Sequence, residues 1–427
     1  MRKKKSLALC IAAVLCVRLL ADDGGMDFSA DIETRWGVCA PWTDSDSRGR
    51  FTLGDTSFNA ALDAYYGNSS AFAKACFSYS AVDVLNDTDA KDSGNLGGGF
   101  NLLLSECWLD YTSSFWGIRI GRQKAAWGKA DGIDITNVLC PADMSSFSAM
   151  VSDDGKLAVD AARFSMNKDS LSFDAWWIPF FTPAALPETS VSFEKPERTL
   201  WNGEYGVKCS GYFPAMDISV YGFYGWDDAP FIDYADYVLQ AAVPRGTYKR
   251  MLMLGADAAV PLGETVIRME AAFFPQRHFQ KSAESVILEI MRERTTSAKS
   301  TERHNQLSAL VGIDWMPNGW TITAQYYGEY VFGSLAPIER TDAYTHGASL
   351  SLSKTFVNET LEASFSALIG FNDFDAMLNP AVNYSLSDQI KLGCGAYIFI
   401  PGPDRDGTYG AYKDMSTLYI TAKFSCK

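Results

Sequence analysis

The chain has 427 residues, a formal net charge of −14, 47% hydrophobic residues and a mean hydropathy of −0.07. An acidic balance of this kind argues against nucleic acid or anionic lipid as an electrostatic partner. No apolar run beyond residue 21 approaches the ~20 residues a spanning helix needs, whereas aromatics at 13%, with Tyr 20, Trp 11 and Phe 26, suit the interface girdles of a membrane β-barrel as well as a carbohydrate-binding β-protein.

The N-terminus reads as a secretory signal over residues 1–21. Arg2-Lys3-Lys4-Lys5 is the basic region, Ser6 to Val17 the apolar core and Leu19-Leu20-Ala21 a loose cleavage site. Cys16 follows Ala13-Val14-Leu15, a poor lipid-attachment sequence. Residues 22–427 are expected to form a single barrel. Loss of Arg2, Lys3, Lys4, Lys5 and Arg18 takes the charge from −14 to −19. Cys39, Cys76, Cys107, Cys140, Cys209, Cys394 and Cys426 remain, an odd set without a CxxC spacing. They read as small apolar filler rather than a disulfide framework or metal site.

Segments of alternating polarity then follow one another, separated by turns. Phe28, Ala30, Ile32, Thr34 and Trp36 oppose Asp31, Glu33 and Arg35. Phe58 to Tyr66 and Ala71 to Tyr79 flank the tight turn Gly67-Asn68-Ser69-Ser70. After a Gly-rich loop at 83–99, Leu103, Cys107, Leu109 and Tyr111 oppose Glu106, Trp108 and Asp110. A strand is read over 116–127, then a loop to Gly155, a weak strand over 156–165 and a strand at Leu171–Trp177. Pro179, Pro183 and Pro187 place Phe180 to Trp201 in a loop. Strands around Val207 and Val220 precede an acidic loop, Asp227 to Tyr248. The pattern sharpens in Leu252–Val260, Thr265–Phe273, Leu307–Trp315, Trp320–Tyr330, Ala348–Leu352, Leu361–Ile369, a short strand ending at Tyr384 and Leu386, Ile390–Ile400 and Leu418–Phe424.

Eighteen candidate strands result, with sixteen as the alternative, and the connections between them alternate short and long. The expected fold is therefore all-β: a transmembrane antiparallel β-barrel with short periplasmic turns and long extracellular loops. Closure pairs every strand edge, which the bilayer demands. A barrel near this size is wide enough for an aqueous lumen.

The stretch Trp116 to Asp143 carries the candidate site. Trp116, Ile118 and Ile120 alternate with Gly117, Arg119 and Gly121, which places Arg119 on the polar face. Arg119, Arg122 and Lys124 are expected to face Asp131, Asp134 or Asp143 across a water-filled narrowing. Arg122 shares the parity of the isoleucines, so it is expected at or above the external rim. Further candidates on the inner face include Arg268, Glu270 and Glu329, with Arg35, Lys74, Lys208, Lys391, Asp31, Glu33, Asp63, Glu106, Glu204 and Glu362. The alternative is that these charges pair with one another and solvate the lumen. Ser282 to Arg294 has apolar residues at helical spacing (Val286, Ile287, Ile290, Met291), read as a loop helix either outside the barrel or folded into it.

Gly121-Arg122-Gln123, Trp127-Gly128, Asp131 and Pro141-Ala142-Asp143 resemble a motif of a poorly characterised family of porin-like Gram-negative outer-membrane barrels. Gly312-Ile313-Asp314, Gln325-Tyr326, Glu329 and Pro179-Phe180-Phe181-Thr182-Pro183 resemble the same family, with Cys140 standing where that pattern has Asn. The loose signal and the cysteine-bearing strands are similar to spirochaetal outer-membrane proteins. Leu418 to Phe424 resembles a terminal strand read by barrel-assembly machinery, with Ser425-Cys426-Lys427 added beyond it. The resemblance implies an outer-membrane location and transport.

The expected function is a channel for passive passage of small solutes. A closed barrel acting as surface adhesin or structural protein is the alternative. Expected partners are outer-membrane lipid, assembly machinery and a small solute. No cofactor, metal or nucleic acid is expected, and no enzymatic role, since the three histidines, His278, His304 and His346, have no fixed nucleophile beside them in sequence.

Overall fold

The computed structural model describes residues 24–86, 99–152, 155–187, 191–235, 245–294, 298–404 and 407–426. The expected signal peptide and most of the Gly-rich loop at 83–99 lie outside them. In chain order the strands are β1 Gly24–Cys39, β2 Phe51–Tyr66, β3 Ser69–Ser80, β4 Phe100–Thr112, β5 Trp116–Gln123, β6 Val159–Lys168, β7 Leu171–Ile178, β8 Ser192–Glu194, β9 Glu204–Tyr212 and β10 Asp217–Trp226. They continue as β11 Phe231–Ile232, β12 Arg245–Thr247, β13 Arg250–Leu262, β14 Thr265–Gln280, β15 Thr301–Trp315, β16 Trp320–Val331, β17 Tyr344–Phe356, β18 Leu361–Gly370, β19 Asp375–Ser385, β20 Ile390–Ile400 and β21 Thr417–Cys426. Eighteen of them form one sheet, and the short β8, β11 and β12 form a second. The fold is an antiparallel β-barrel. Strand β1 pairs with β2 on one side and with the final strand β21 on the other, so the sheet is joined through the two ends of the chain.

The chain divides into two compact units. In the first, which holds β1 to β5 and most of β17 to β21, antiparallel ladders run from β17 through β21 to β1 and on to β5. In the second, the ladders run β6–β7–β9–β10–β13–β14.

Burial is inverted relative to a water-soluble protein. Ile218, Val220, Leu252, Leu254, Leu307, Val311 and Ile313 are exposed, while Asp257, Glu270, Gln306, Ser308 and Gln325 are buried. Period-2 alternation explains this: one row of side chains points out to lipid and the other points in. Exposing the apolar row to water would forfeit ~25 cal/mol per Å².

Several expectations required correction. The strand read over 116–127 ends at Gln123, because Gly121 takes φ +134 and the backbone beyond it turns away from the sheet. The weak strand at 156–165 is β6, running to Lys168 and turning at Asp169, φ +51. In β4 the register against β3 shifts between Lys74 and Ala75, so that Leu104 rather than Leu103 shares the row of Cys107 and Leu109. A bulge reverses parity and cannot be seen in a period-2 pattern. The strand ending near Tyr384 is a full element, β19, despite Pro380; its connection to β18, residues 371–374, is short on the side where the other loops are long.

Candidate functional site: a loop held against the inner wall

After Gln123 the chain crosses the inner face of the second unit before rejoining the sheet at Val159. Trp127 lies flat among buried residues, its ring 5.1 Å from that of Tyr221. Gly206 of β9 makes room for it: a Cβ there would sit 2.8 Å from the indole. Ile135, Leu139 and Cys140 pack into the same cluster with Trp176, Phe223, Met251, Met253 and Phe274. These wall residues occupy inward positions that would otherwise face water. Their apolar character makes sense only with the loop in place.

The polar fastening centres on Glu270, a third of the way along β14 from its turn end and 3% exposed. One carboxylate oxygen accepts from the backbone N–H groups of Lys129 (2.7 Å) and Ala130 (3.0 Å). The other accepts from the N–H and the hydroxyl of Thr136, each at 2.7 Å. A buried carboxylate needs such donors, because desolvation otherwise costs several kcal/mol. Gly128 is required at the start of this grip. It has φ +89, and a Cβ there would lie 2.5 Å from Glu270 Oε1.

Neighbouring strands add contacts. Arg268 Nη1 donates to the Lys129 carbonyl at 2.9 Å. Gln325 of β16 grips Asp131 through its main chain, accepting from its N–H (3.0 Å) and donating to its carbonyl (2.7 Å). Tyr221 accepts from Gly128 N–H at 3.2 Å and donates to Asp257. Lys129 reaches Asp217, the first residue of β10, at 3.8 Å. Glu270 is ten residues from the loop end of its strand and five from the turn end. The contact therefore lies about two thirds of the way from the loop end of β14 to its turn end.

The predicted site residues separate into distinct groups. Arg119 donates from Nε to Asp110 at 2.9 Å and lies 3.7 Å over the Trp108 ring. Asp134 holds Lys156 and Asn137, and Asp143 holds Ser145. Arg119 is thus engaged by its cross-strand neighbour Asp110, and Asp134 and Asp143 by partners close to them in the loop. Arg122 stands opposite Cys107 on the row of Ile118 and Ile120, and Lys124 follows the strand's end. Glu329 accepts from Gln306 Nε2 (2.7 Å) and Thr345, and is paired with Arg340. Of the predicted set, Glu270, Arg268 and Asp131 meet at the loop. Gln325, Tyr221, Asp257 and Trp127 were missed as site residues. Gln325 and Tyr221 are an amide and an aromatic at inward strand positions, Asp257 is an inward carboxylate, and Trp127 carries its signal only in the Trp127-Gly128 pair.

The loops above the strands carry further features. Helix α1, Ala283–Glu293, is capped by the Ser282 hydroxyl and ended by Arg294 in the left-handed region. Val286 and Ile290 pack on Tyr234, Ala235 and Ala298, so the helix rests on other loop residues. Burial pushes the Cys140 thiol up. Burial also holds the Asp228 carboxyl well above the usual carboxylate range, reinforced by nearby Glu204 and Asp227. All seven cysteines of the described residues are free thiols.

A lipid-facing outer row, a polar inner row and a loop folded onto that inner row define a large membrane β-barrel of eighteen strands. Two solved structures from Acinetobacter baumannii share the fold. OccAB1 aligns with a TM-score of 0.53 at 9% identity over 94% of this chain and 96% of its own. OccAB4 aligns with 0.52 at 8% identity over 94% and 98%. No curated protein matches this chain in sequence. The chain belongs to the family described as Protein of unknown function (DUF1302), whose profile matches residues 47–387.

Proposed function

We propose that this protein is a porin-like channel of the outer membrane, passing small hydrophilic solutes passively through a barrel narrowed by residues 124–140. The observation that carries this reading is the grip of Glu270 on Lys129, Ala130 and Thr136. A barrel meant only as a scaffold has no need of a loop fastened so far down its inner wall. The residues lining the narrowing are then Lys124, Asp131, Asp134 and Arg268, fastened by the buried Glu270, with Arg119, Asp143 and Glu329 contributing charge along the path and Arg122 at its rim. Selectivity in such a path comes from the charges and dipoles that replace solute hydration. The signal over residues 1–21 serves export, and the strand Thr417–Cys426 is the segment offered to the assembly machinery.

Purified protein, shown to be folded by heat-modifiable gel mobility, should give discrete conductance steps in a planar bilayer. A folded barrel that never conducts would refute the channel. Arg119→Glu should move the reversal potential toward cation selectivity, and Arg122→Glu should do so less. An unchanged potential in Arg119→Glu removes Arg119 from the path.

A further inference from the structure

A cavity of about 600 Å³ lies at the loop end of the second unit, lined in part by Phe231, Lys249, His278, Lys299 and Arg303. Its charges are unevenly engaged. Of its carboxylates, Glu302 pairs with Lys281 at 3.5 Å and Asp233 accepts from Ser300 and Ala235. No carboxylate among the described residues pairs with Lys249 or Lys299. Among the described residues, Arg303 donates from Nε to His278 Nε2 at 3.1 Å. His278 is therefore an acceptor at that nitrogen, and its Nδ1–H is left to donate to Thr301 at 3.0 Å. Lys249, Lys299 and Arg303 outnumber the lining carboxylates Asp233 and Glu302, and Glu302 is also shared with Lys281, so beside a neutral imidazole the cavity carries net positive charge in a chain whose net charge is −14.

The position of Arg303 says where the counter-ion comes from. Arg303 shares the parity of Leu307, Val311, Ile313 and Trp315, the exposed lipid-facing row of β15. That row spans eight residue steps, or roughly 27 Å along a strand, and roughly 20 Å of height once tilted by ~40°. This accounts for most of the ~25 Å apolar band of an outer-membrane barrel. Arg303 lies four residues further on, on the side of the long loops, roughly 10 Å above the apolar row. That is the level of the headgroups.

We infer that this cavity docks a phosphate group of the adjoining lipid headgroup layer, held by Lys249, Lys299 and Arg303, with Arg303 reaching it from the outward row of β15. The inference rests on the membrane reading above and is independent of whether the barrel conducts. Arg303 offers two terminal nitrogens in a fork that matches phosphate oxygens, and the lysines supply point charges.

The test uses the full chain in phosphatidylcholine nanodiscs doped with diphosphorylated lipid A or its dephosphorylated form. Native mass spectrometry counts the lipid retained per barrel. The phosphorylated form should be retained preferentially. The double variant Lys249→Gln, Arg303→Gln should lower retention about tenfold or more, as expected for loss of charge-assisted hydrogen bonds. Lys299→Gln, at an exposed loop position, should lower it about threefold, consistent with one less-confined charge. Equal retention by native protein and both variants overturns the proposal. So does equal retention of the dephosphorylated lipid, or displacement of the lipid by inorganic phosphate at matched concentration, which would make the ligand a soluble anion. Gel mobility and conductance of the same samples report separately on folding and on the channel.

Discussion

Two loops in this molecule are fastened by the same chemistry with different consequences. In the second unit, Glu270 accepts from the backbone of Lys129, Ala130 and Thr136, with Gly128 at φ +89 beside it. In the first unit, Asp375 accepts from the N–H groups of Tyr409 (2.5 Å) and Gly410 (3.0 Å), with Gly407 at φ +89 beside it. Each is a buried carboxylate on a strand that satisfies orphan backbone donors of a loop. Asp375 is the first residue of β19, so its loop stays at the strand ends. Glu270 is the sixth residue of β14, so its loop is drawn far along the inner face. Position along the strand, and not the type of contact, separates a rim loop from one that fills the barrel wall.

The surroundings follow from that difference. Around Glu270 the inward row is apolar and aromatic, with Tyr221, Phe223, Met251 and Met253 buried under the loop. In the first unit the inward row of β1 stays polar and half-exposed. Lys423 bridges Asp31 at 3.7 Å and Glu33 at 3.5 Å, and Asn59 donates to Asp31 at 2.9 Å. Such partly solvated pairs contribute ~0–1 kcal/mol each and serve mainly to keep the wall wet and neutral.

The sharpest way to break this contrast is Glu270→Ala. It leaves three loop N–H groups without an acceptor, at ~1–3 kcal/mol each before rearrangement. Residues 124–140 should undock, with larger single-channel conductance and rapid amide exchange at Lys129, Ala130 and Thr136. Slow exchange there in the variant would mean that packing alone holds the loop. Trp127→Ala comes next. It empties the space over Gly206 at ~3–5 kcal/mol, and should raise conductance noise while the carboxylate grip persists.

Asp375→Ala sharpens the comparison from the other side. It should loosen residues 407–415, seen as protease sensitivity, and leave conductance unchanged. A conductance change of the size seen for Glu270→Ala would abolish the distinction between the two loops. The smallest effect concerns Asp228. Its folded carboxyl is held above its unfolded value of ~3.9, so the folded state binds the proton more tightly. Stability is then greatest at low pH and falls as pH rises from about 4 through the raised folded midpoint, levelling off beyond it. Amide exchange in residues 227–235 should accelerate over that window. Asp228→Asn should flatten the dependence.

Much of the architecture was legible in the chain. Rows such as Leu252, Leu254, Ala256 and Ala258 against Asp257 specify lipid on one side and water on the other, because side chains alternate faces at every residue. The eighteen strands and most of their turns follow from it. Glu270 and Arg268 could be named as inward charges for the same reason. Their partners could not. The grip on residues 129–136 joins positions about 140 apart in sequence, and most of its donors are backbone N–H groups, which every non-proline residue carries. The end of β5 at Gln123, the bulge in β4 and the pairing of Arg119 with Asp110 likewise depend on which strand lies alongside. Alternation determines faces locally. Only the closed sheet decides which loop meets which wall, and how far down.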